Sequence, residues 1–310
     1  MGRISNRINN LYNRKYDYYY LKSMLESKDS VTTIIAGSSY ASFGIDPKPG
    51  QINLGLPSQD VFFADKLIRK IVDERGSVKT VILVSSFYGL YSDLSKTKTL
   101  SEQQRIVDVY LPLLNESHHM TQVQFSTGMK ARILSCMDDC VCWIMQKTVF
   151  RKPLTRYFDD KYHSRFQRRL VCQEEPDLSW ENLSPELRKK EASRRVASHE
   201  KSLRYSDSFV ENVQLLTDLH DYLAEKNIAL NIVIPPFSEE YCQHMSQNFI
   251  NAAKESECFL RSVSDAYLDA NKMPDIKFYA KDFVDMDHLS DSGAEKLTPI
   301  LNAWMAAETD

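Results

Sequence analysis

Several features that would fix a functional class outright are missing from this 310-residue sequence. No stretch approaches the roughly eighteen consecutive apolar residues that a spanning helix needs, so no membrane span is predicted. The opening Met1-Gly2-Arg3-Ile4-Ser5-Asn6-Arg7 runs into polar, Tyr-rich sequence without an apolar h-region, which argues against a cleaved signal peptide. Six cysteines in a chain of this size do not make a disulfide scaffold. Cys136, Cys140 and Cys142 lie close together, but a zinc site would want a second cluster of Cys or His at tight spacing, and none follows. Buried free thiols are the reading, and no metal or cofactor is expected. Without a signal peptide, these thiols point to a reducing cytoplasm. The net charge of −3 comes with no acidic or basic tail, so nothing demands nucleic acid. The basic stretches Arg165–Arg169, Arg188–Lys190 and Arg194-Arg195 are interleaved with acidic residues and read as solvated helix faces. There is no internal repeat and no low-complexity segment.

What is present is an alternation of elements. Residues 6–28 read as a helix within an N-terminal segment 1–30. Val31-Thr32-Thr33-Ile34-Ile35-Ala36 is an apolar, β-branched run that suits a buried strand, and it ends at Gly37-Ser38-Ser39. A short strand around Ile52-Asn53-Leu54 stops at Gly55. A helix follows, carrying Val61, Phe62, Ala64, Leu67, Ile68, Ile71 and Val72 at helical spacing and closing at Arg75-Gly76. Val81-Ile82-Leu83-Val84 is a third strand. This order predicts a three-layer α/β fold on a mostly parallel sheet. From about 100 to 198 no strand is evident, and the stretch reads as a helical insertion or cap in a single domain. The alternation resumes with a helix bearing Phe209, Val213, Leu216, Leu219 and Leu223, then the strand Leu230–Ile234. Ile276–Tyr279 is expected to form the last strand. The final helix is expected to bury Ala294, Leu297, Ile300, Leu301 and Trp304, behind a Ser292/Glu295 capping box.

In open α/β sheets, ligands gather beyond the carboxyl ends of the strands. Ser38 and Ser39 follow the first strand, Asn53 and Gly55 the second, and Ser85, Ser86 and Tyr88 the third. Asp285-Met286-Asp287-His288 precedes the last helix. A carboxylate three positions before an imidazole can accept one ring N–H while the other nitrogen faces a serine. Asp285 suits that task better than Asp287, because an adjacent residue rarely folds back to the ring. Ser39 at a strand-to-helix turn is the nucleophile candidate and Ser38 the alternative. Backbone N–H groups of Ser39 and Gly55 are candidate oxyanion donors. His199, taken to open the long helix after the insertion, and Asn212 on that helix are candidate pocket residues. His118-His119 reads as surface, and His220 as a hydrogen-bonded core histidine.

Gly37-Ser38-Ser39, Asn53-Leu54-Gly55 and Asp285-Met286-Asp287-His288 resemble the first, second and last blocks of SGNH (GDSL-like) hydrolases. The branch they look most like is related to the acyl-transfer proteins of teichoic acid D-alanylation and alginate O-acetylation. Ile234–Tyr241 and Asp287–Ala294 are similar to relatives from bacterial surface-polysaccharide loci. The resemblance implies Ser39 as nucleophile, His288 as base, Asp285 as its orienter and Gly55 as an oxyanion donor. It departs at the third block, where Ser85-Ser86-Phe87-Tyr88-Gly89 stands in place of Gly-x-Asn. Ser86 or Tyr88 then donates instead, or the hole has backbone donors alone.

The expected function is that of a serine esterase or O-acyltransferase acting on an acyl, most plausibly acetyl, ester of a carbohydrate. A non-catalytic glycan-binding or assembly protein of the same fold is the rival. A flavodoxin-like phosphate binder is disfavoured, since Gly37-Ser38-Ser39 lacks the lysine and glycine spacing of a phosphate loop. Phe150, Tyr157, Phe158, Tyr162 and Phe166 among positive charges raise a peripheral contact with a lipid-linked or anionic glycan at the inner membrane face.

Overall fold

The computed structural model describes residues 16–97, 100–120, 140, 143–144, 147–148 and 180–308. Residues 29–93 with 177–310 form one compact unit, and 1–28 with 94–176 another.

The larger unit is built on five parallel strands in the order β2-β1-β3-β4-β5. They are β1 (Thr33–Gly37), β2 (Gln51–Asn53), β3 (Thr80–Val84), β4 (Ala229–Ile234) and β5 (Ala266–Asp269). In β1 every residue is buried, as are Val81–Val84 and Leu230–Ile234. Such near-continuous apolar runs belong to strands covered on both faces. The central register places Ile34 beside Val81 and Ile82 beside Asn231.

Helices α1 (Ser39–Gly44), α2 (Val61–Glu74), α3 (Pro185–Glu200), α4 (Ser206–Glu225), α5 (Gln247–Ser262) and α6 (Asp291–Glu308) complete the three layers. In α2, Asp60 caps the N-terminus by accepting the Phe63 N–H, and Val61, Phe63, Ala64, Leu67, Ile68, Ile71 and Val72 face the sheet. Helix α2 packs with α4, and α1 packs with α6.

Three expectations are corrected here. The last strand is Ala266–Asp269, whereas residues 276–279 are irregular. Phe278 owes its apolar character to packing, with its ring near Phe283 and the Lys296 ammonium 4.8 Å from its centroid. The cap of α6 is Ser290, whose Oγ accepts the Gly293 N–H, while Ser292 Oγ donates to the Lys281 carbonyl, so no Ser292/Glu295 box forms. In α6, Ala294, Leu297 and Leu301 are buried, but Ile300 and Trp304 only half so. Helix α3 lies in the same compact unit as the sheet.

The smaller unit's described elements are helical. Residues 16–26 form a helix, followed later in the chain by Leu100–Arg105, a π-helical turn Ile106–Tyr110 and Leu111–Leu114. Arg105 Nε meets Asp17 Oδ2 at 3.2 Å. Cys140 is exposed, against the buried-thiol expectation. Cys136, Cys142, Phe150, Tyr157, Phe158, Tyr162, Phe166 and Arg165–Arg169 lie outside the described residues. No described helix is long and apolar enough to cross a membrane.

Candidate active site

The strand order reverses direction between β1 and β3, the kind of switch point beyond whose carboxyl edge open α/β sheets bind ligands. Gly37 ends β1 with φ +132°, and a Cβ there would overlap the Val84 carbonyl, so only glycine allows β1 to lie this close to β3. The chain then turns at once into α1. The Ser38 carbonyl accepts the N–H groups of Ala41 (3.0 Å) and Ser42 (3.2 Å), making Ser39 the first helical residue.

Ser39 Oγ lies 2.8 Å from His288 Nε2, and His288 Nδ1 lies 2.9 and 3.0 Å from the two oxygens of Asp285. The Asp285 carboxylate is placed by its own loop. Its Oδ1 accepts the backbone N–H groups of His288 (2.8 Å) and Asp287 (3.0 Å), and a bridge between Phe283 and Leu289 closes the turn. With Nδ1–H donated to Asp285, Nε2 is left to accept from Ser39. The imidazole is buried between Tyr40, stacked at 5.2 Å, and Phe43 at 5.6 Å. Burial alone would disfavour its charge, but Asp285 and Asp287 outweigh that and raise its pKa above the ordinary imidazole value. Of the two serine candidates, Ser39 and not Ser38 meets His288.

The other candidates are placed differently. Asn53 is buried, and its amide donates to the carbonyls of Ala41 (2.7 Å) and Ile45 (3.1 Å), tying β2 to α1. Its Oδ1 accepts the Gly55 N–H at 2.9 Å, so that donor is already engaged. Gly55 lies so close to α1 that a Cβ would meet Ala41 Cβ at 2.6 Å. Ser86 is buried. The Tyr88 hydroxyl meets Tyr40 (2.9 Å) and His199 Nε2 (3.2 Å), and its ring stacks on His199 at 4.1 Å. Asn212 is buried away from the triad, and its amide donates to the carbonyls of Leu90 and Ser92, both at 2.9 Å. His199 does reach the site, but from the last turn of α3 rather than from the start of the long helix.

His119 is exposed and its ring stacks on half-buried His118. His220 is half-buried beside Asp221 (3.3 Å), not a core histidine, because its turn of α4 faces the rim.

Three participants, Arg195, Tyr40 and Tyr241, escaped the sequence reading, and a fourth, Asp287, was set aside there in favour of Asp285. Asp287 is fully buried one residue before His288, with Oδ1 3.6 Å from Nδ1. Arg195 Nε reaches both its oxygens (3.1 and 3.2 Å), and the Tyr40 hydroxyl donates to Oδ2 at 2.8 Å. Tyr241 completes the group through His199 Nδ1 at 2.7 Å. Burial pushes the Asp287 carboxyl up, but His288 and Arg195 outweigh it and hold it well below the usual carboxylate range. Burial pushes His199 down to about 3, so its ring is neutral. The one usable signal was the four-residue spacing of Arg195 and His199, which puts both on one face of α3. By contrast Arg188 pairs with Glu240 at 2.9 Å and Arg194 with Glu191 at 2.5 Å. Asp285, Asp287 and His288 offer atoms within 4.8 Å of one another, a spacing a cation can bridge, but at Asp287 the Arg195 guanidinium already takes that place.

No family model and no curated protein matches this sequence.

Proposed function

We propose that the chain is a serine-dependent esterase or O-acyltransferase with Ser39 as its nucleophile. One observation carries this reading: an unbroken line of hydrogen bonds from Asp285 through His288 to a serine at a strand-to-helix turn. As Ser39 Oγ bonds to the ester carbonyl carbon, His288 Nε2 takes its proton, and Asp285 stabilises the imidazolium. The carbonyl oxygen becomes an oxyanion. On collapse the C–O bond to the leaving alcohol breaks and Nε2 returns the proton to that oxygen, leaving acyl-Ser39. Water or a sugar hydroxyl then attacks the acyl carbon and gives its proton to Nε2, and Ser39 leaves and recovers it. Because α1 begins at Ser39, the N–H groups of Ser39 and Tyr40 have no intrahelical acceptor and are the donors this turn offers to the oxyanion.

The substrate class, an acetyl or similar ester of a bacterial surface carbohydrate, comes from the resemblance of Gly37–Ser39, Asn53–Gly55 and Asp285–His288 to SGNH hydrolases. The free thiols of Cys140, Cys242 and Cys258 suit the reducing cytoplasm, where such a protein would meet lipid-linked precursors at the inner membrane face.

A second reading, a glycan-binding protein without turnover, is favoured by one observation: the Gly55 N–H is already donated to Asn53. A fluorophosphonate probe separates the two. Labelling that disappears in Ser39→Ala, with release of p-nitrophenol from p-nitrophenyl acetate, supports the enzyme. Folded wild-type protein that takes up no probe and turns over neither this ester nor acetylated glycans overturns it. Repeating the glycan assay with an added sugar acceptor distinguishes transfer from hydrolysis.

A further inference from the structure

The polar groups behind His288 form a line whose hydrogen-bond directions can be worked out. Arg195 Nε faces both oxygens of Asp287, so that carboxylate is ionised and can only accept. Tyr40 therefore donates its single proton to Asp287 Oδ2. The Tyr40–Tyr88 contact at 2.9 Å must then run from the Tyr88 hydroxyl to the Tyr40 oxygen. With its own proton placed, Tyr88 can only accept from His199 Nε2, which fixes His199 as the Nε2–H tautomer. His199 Nδ1 is then an acceptor, and Tyr241 donates to it. Every link points the same way, from Tyr241 through His199, Tyr88 and Tyr40 to Asp287, and each link's direction forces the next.

We propose that Asp287 is a positioning residue for His288: a second carboxylate, fixed by Arg195 and by this one-way chain, that holds the imidazolium formed during turnover. The groups facing His288 are Asp285 and Asp287 from its own loop, Ser39, Tyr40 and Phe43 from α1, and Arg195 and His199 from α3. Among the charged ones, Asp287 alone combines complete burial with closeness to Nδ1. A buried carboxylate cannot leave its place to follow solvent, so it presents a fixed charge to the ring. The chain also bears on the third-block departure: the Tyr88 hydroxyl is taken by Tyr40 and His199, so it is not free for the oxyanion.

This inference rests on the proposed function only for what the imidazolium is for, so it is tested first on the resting full-length protein. Nitrogen-15 NMR of the histidine rings should show His199 with a pyrrole-type Nε2 and a pyridine-type Nδ1, and the reverse tautomer would overturn the chain. Titrating His288 by the same signals, Asp287→Asn should weaken its proton affinity tenfold or more, and Arg195→Gln should strengthen it. A change below twofold in Asp287→Asn, or movement of both variants in the same direction, would sink the positioning role. If Asp287→Asn does not fold, Arg195→Gln and the wild-type tautomer still decide the matter. In turnover, Asp287→Asn should lower kcat with KM unchanged and move the acid limb of the pH profile down by the same factor. Loss of Ser39 labelling with these NMR results intact would remove the esterase reading and leave the assembly standing.

Discussion

Asp285 and Asp287 stand two residues apart and address the same ring nitrogen, yet they are held by opposite means. Asp285, with a side chain 33% exposed, is fixed by backbone N–H groups of its own loop. Asp287 is fully buried and is fixed by Arg195 and Tyr40, which come from other elements. A carboxylate near water with local donors is a safe orienter, because little else depends on it. A buried carboxylate is a liability unless every partner is present. The site thus pairs an orienter on which folding should depend little with an anchor on which it should depend more.

The contrast can be broken in order of expected effect. Ser39→Ala removes what both carboxylates serve and should lower kcat for p-nitrophenyl acetate by about 10⁴-fold or more, read in a burst-free steady-state assay. Asp285→Asn should follow with a loss of about 10²–10⁴-fold, since the ring keeps its place but loses its tautomer. In urea unfolding the order reverses: Asp287→Asn should destabilise by about 2 kcal/mol, because the buried amide turns an N–H donor toward Arg195 or Tyr40, while Asp285→Asn should change stability by less than about 1 kcal/mol. Equal effects from the two would erase the distinction.

The pH dependence sharpens it further. His288 must be neutral to act as base, so kcat/KM should rise with pH through a midpoint above the ordinary imidazole value of 6.5. Because its folded pKa is raised, His288 adds stability that is complete below about 6.5 and is lost as pH rises through the folded value. Asp287, lowered by folding, adds stability that is present above the usual 3.8 and fades as pH falls below it. Melting temperatures across pH 3–9 would check both signs, with Asp287→Asn losing the acid-side dependence. The smallest expected effect is His220→Ala on the half-exposed rim, within about 0.5 kcal/mol.

Much of the frame was legible because burial leaves a local mark. β1, β3 and β4 are apolar throughout since both their faces are covered, and α2 shows its buried face at helical spacing. β5 was missed because an edge strand of four residues, with Tyr267 and Leu268 half-buried, carries no such run. The α6 cap was misplaced by two residues because Ser290 and Ser292 are chemically alike and only the fold brings one to the Gly293 N–H. Arg195 was read as part of a solvated basic face, which is right for Arg194 and wrong for its neighbour. One step around a helix separates solvent from a buried carboxylate, and charge counting along a sequence does not resolve that step.

Ser39, His288 and Asp285 were nameable from sequence alone, because a serine at a strand-to-helix turn and a carboxylate three residues before an imidazole are arrangements within a few bonds of one another. That Ser39 would meet His288, 249 residues away, followed from the element order once both were assigned to the carboxyl edge of one sheet. Only the tertiary structure decided what stands behind the base. Asp287 meets Arg195 across 92 residues and Tyr40 across 247, and the direction of each hydrogen bond is set by the one before it. No local pattern encodes such a chain, because its members share only the buried space in which an unpaired charge or hydroxyl would be too costly to keep.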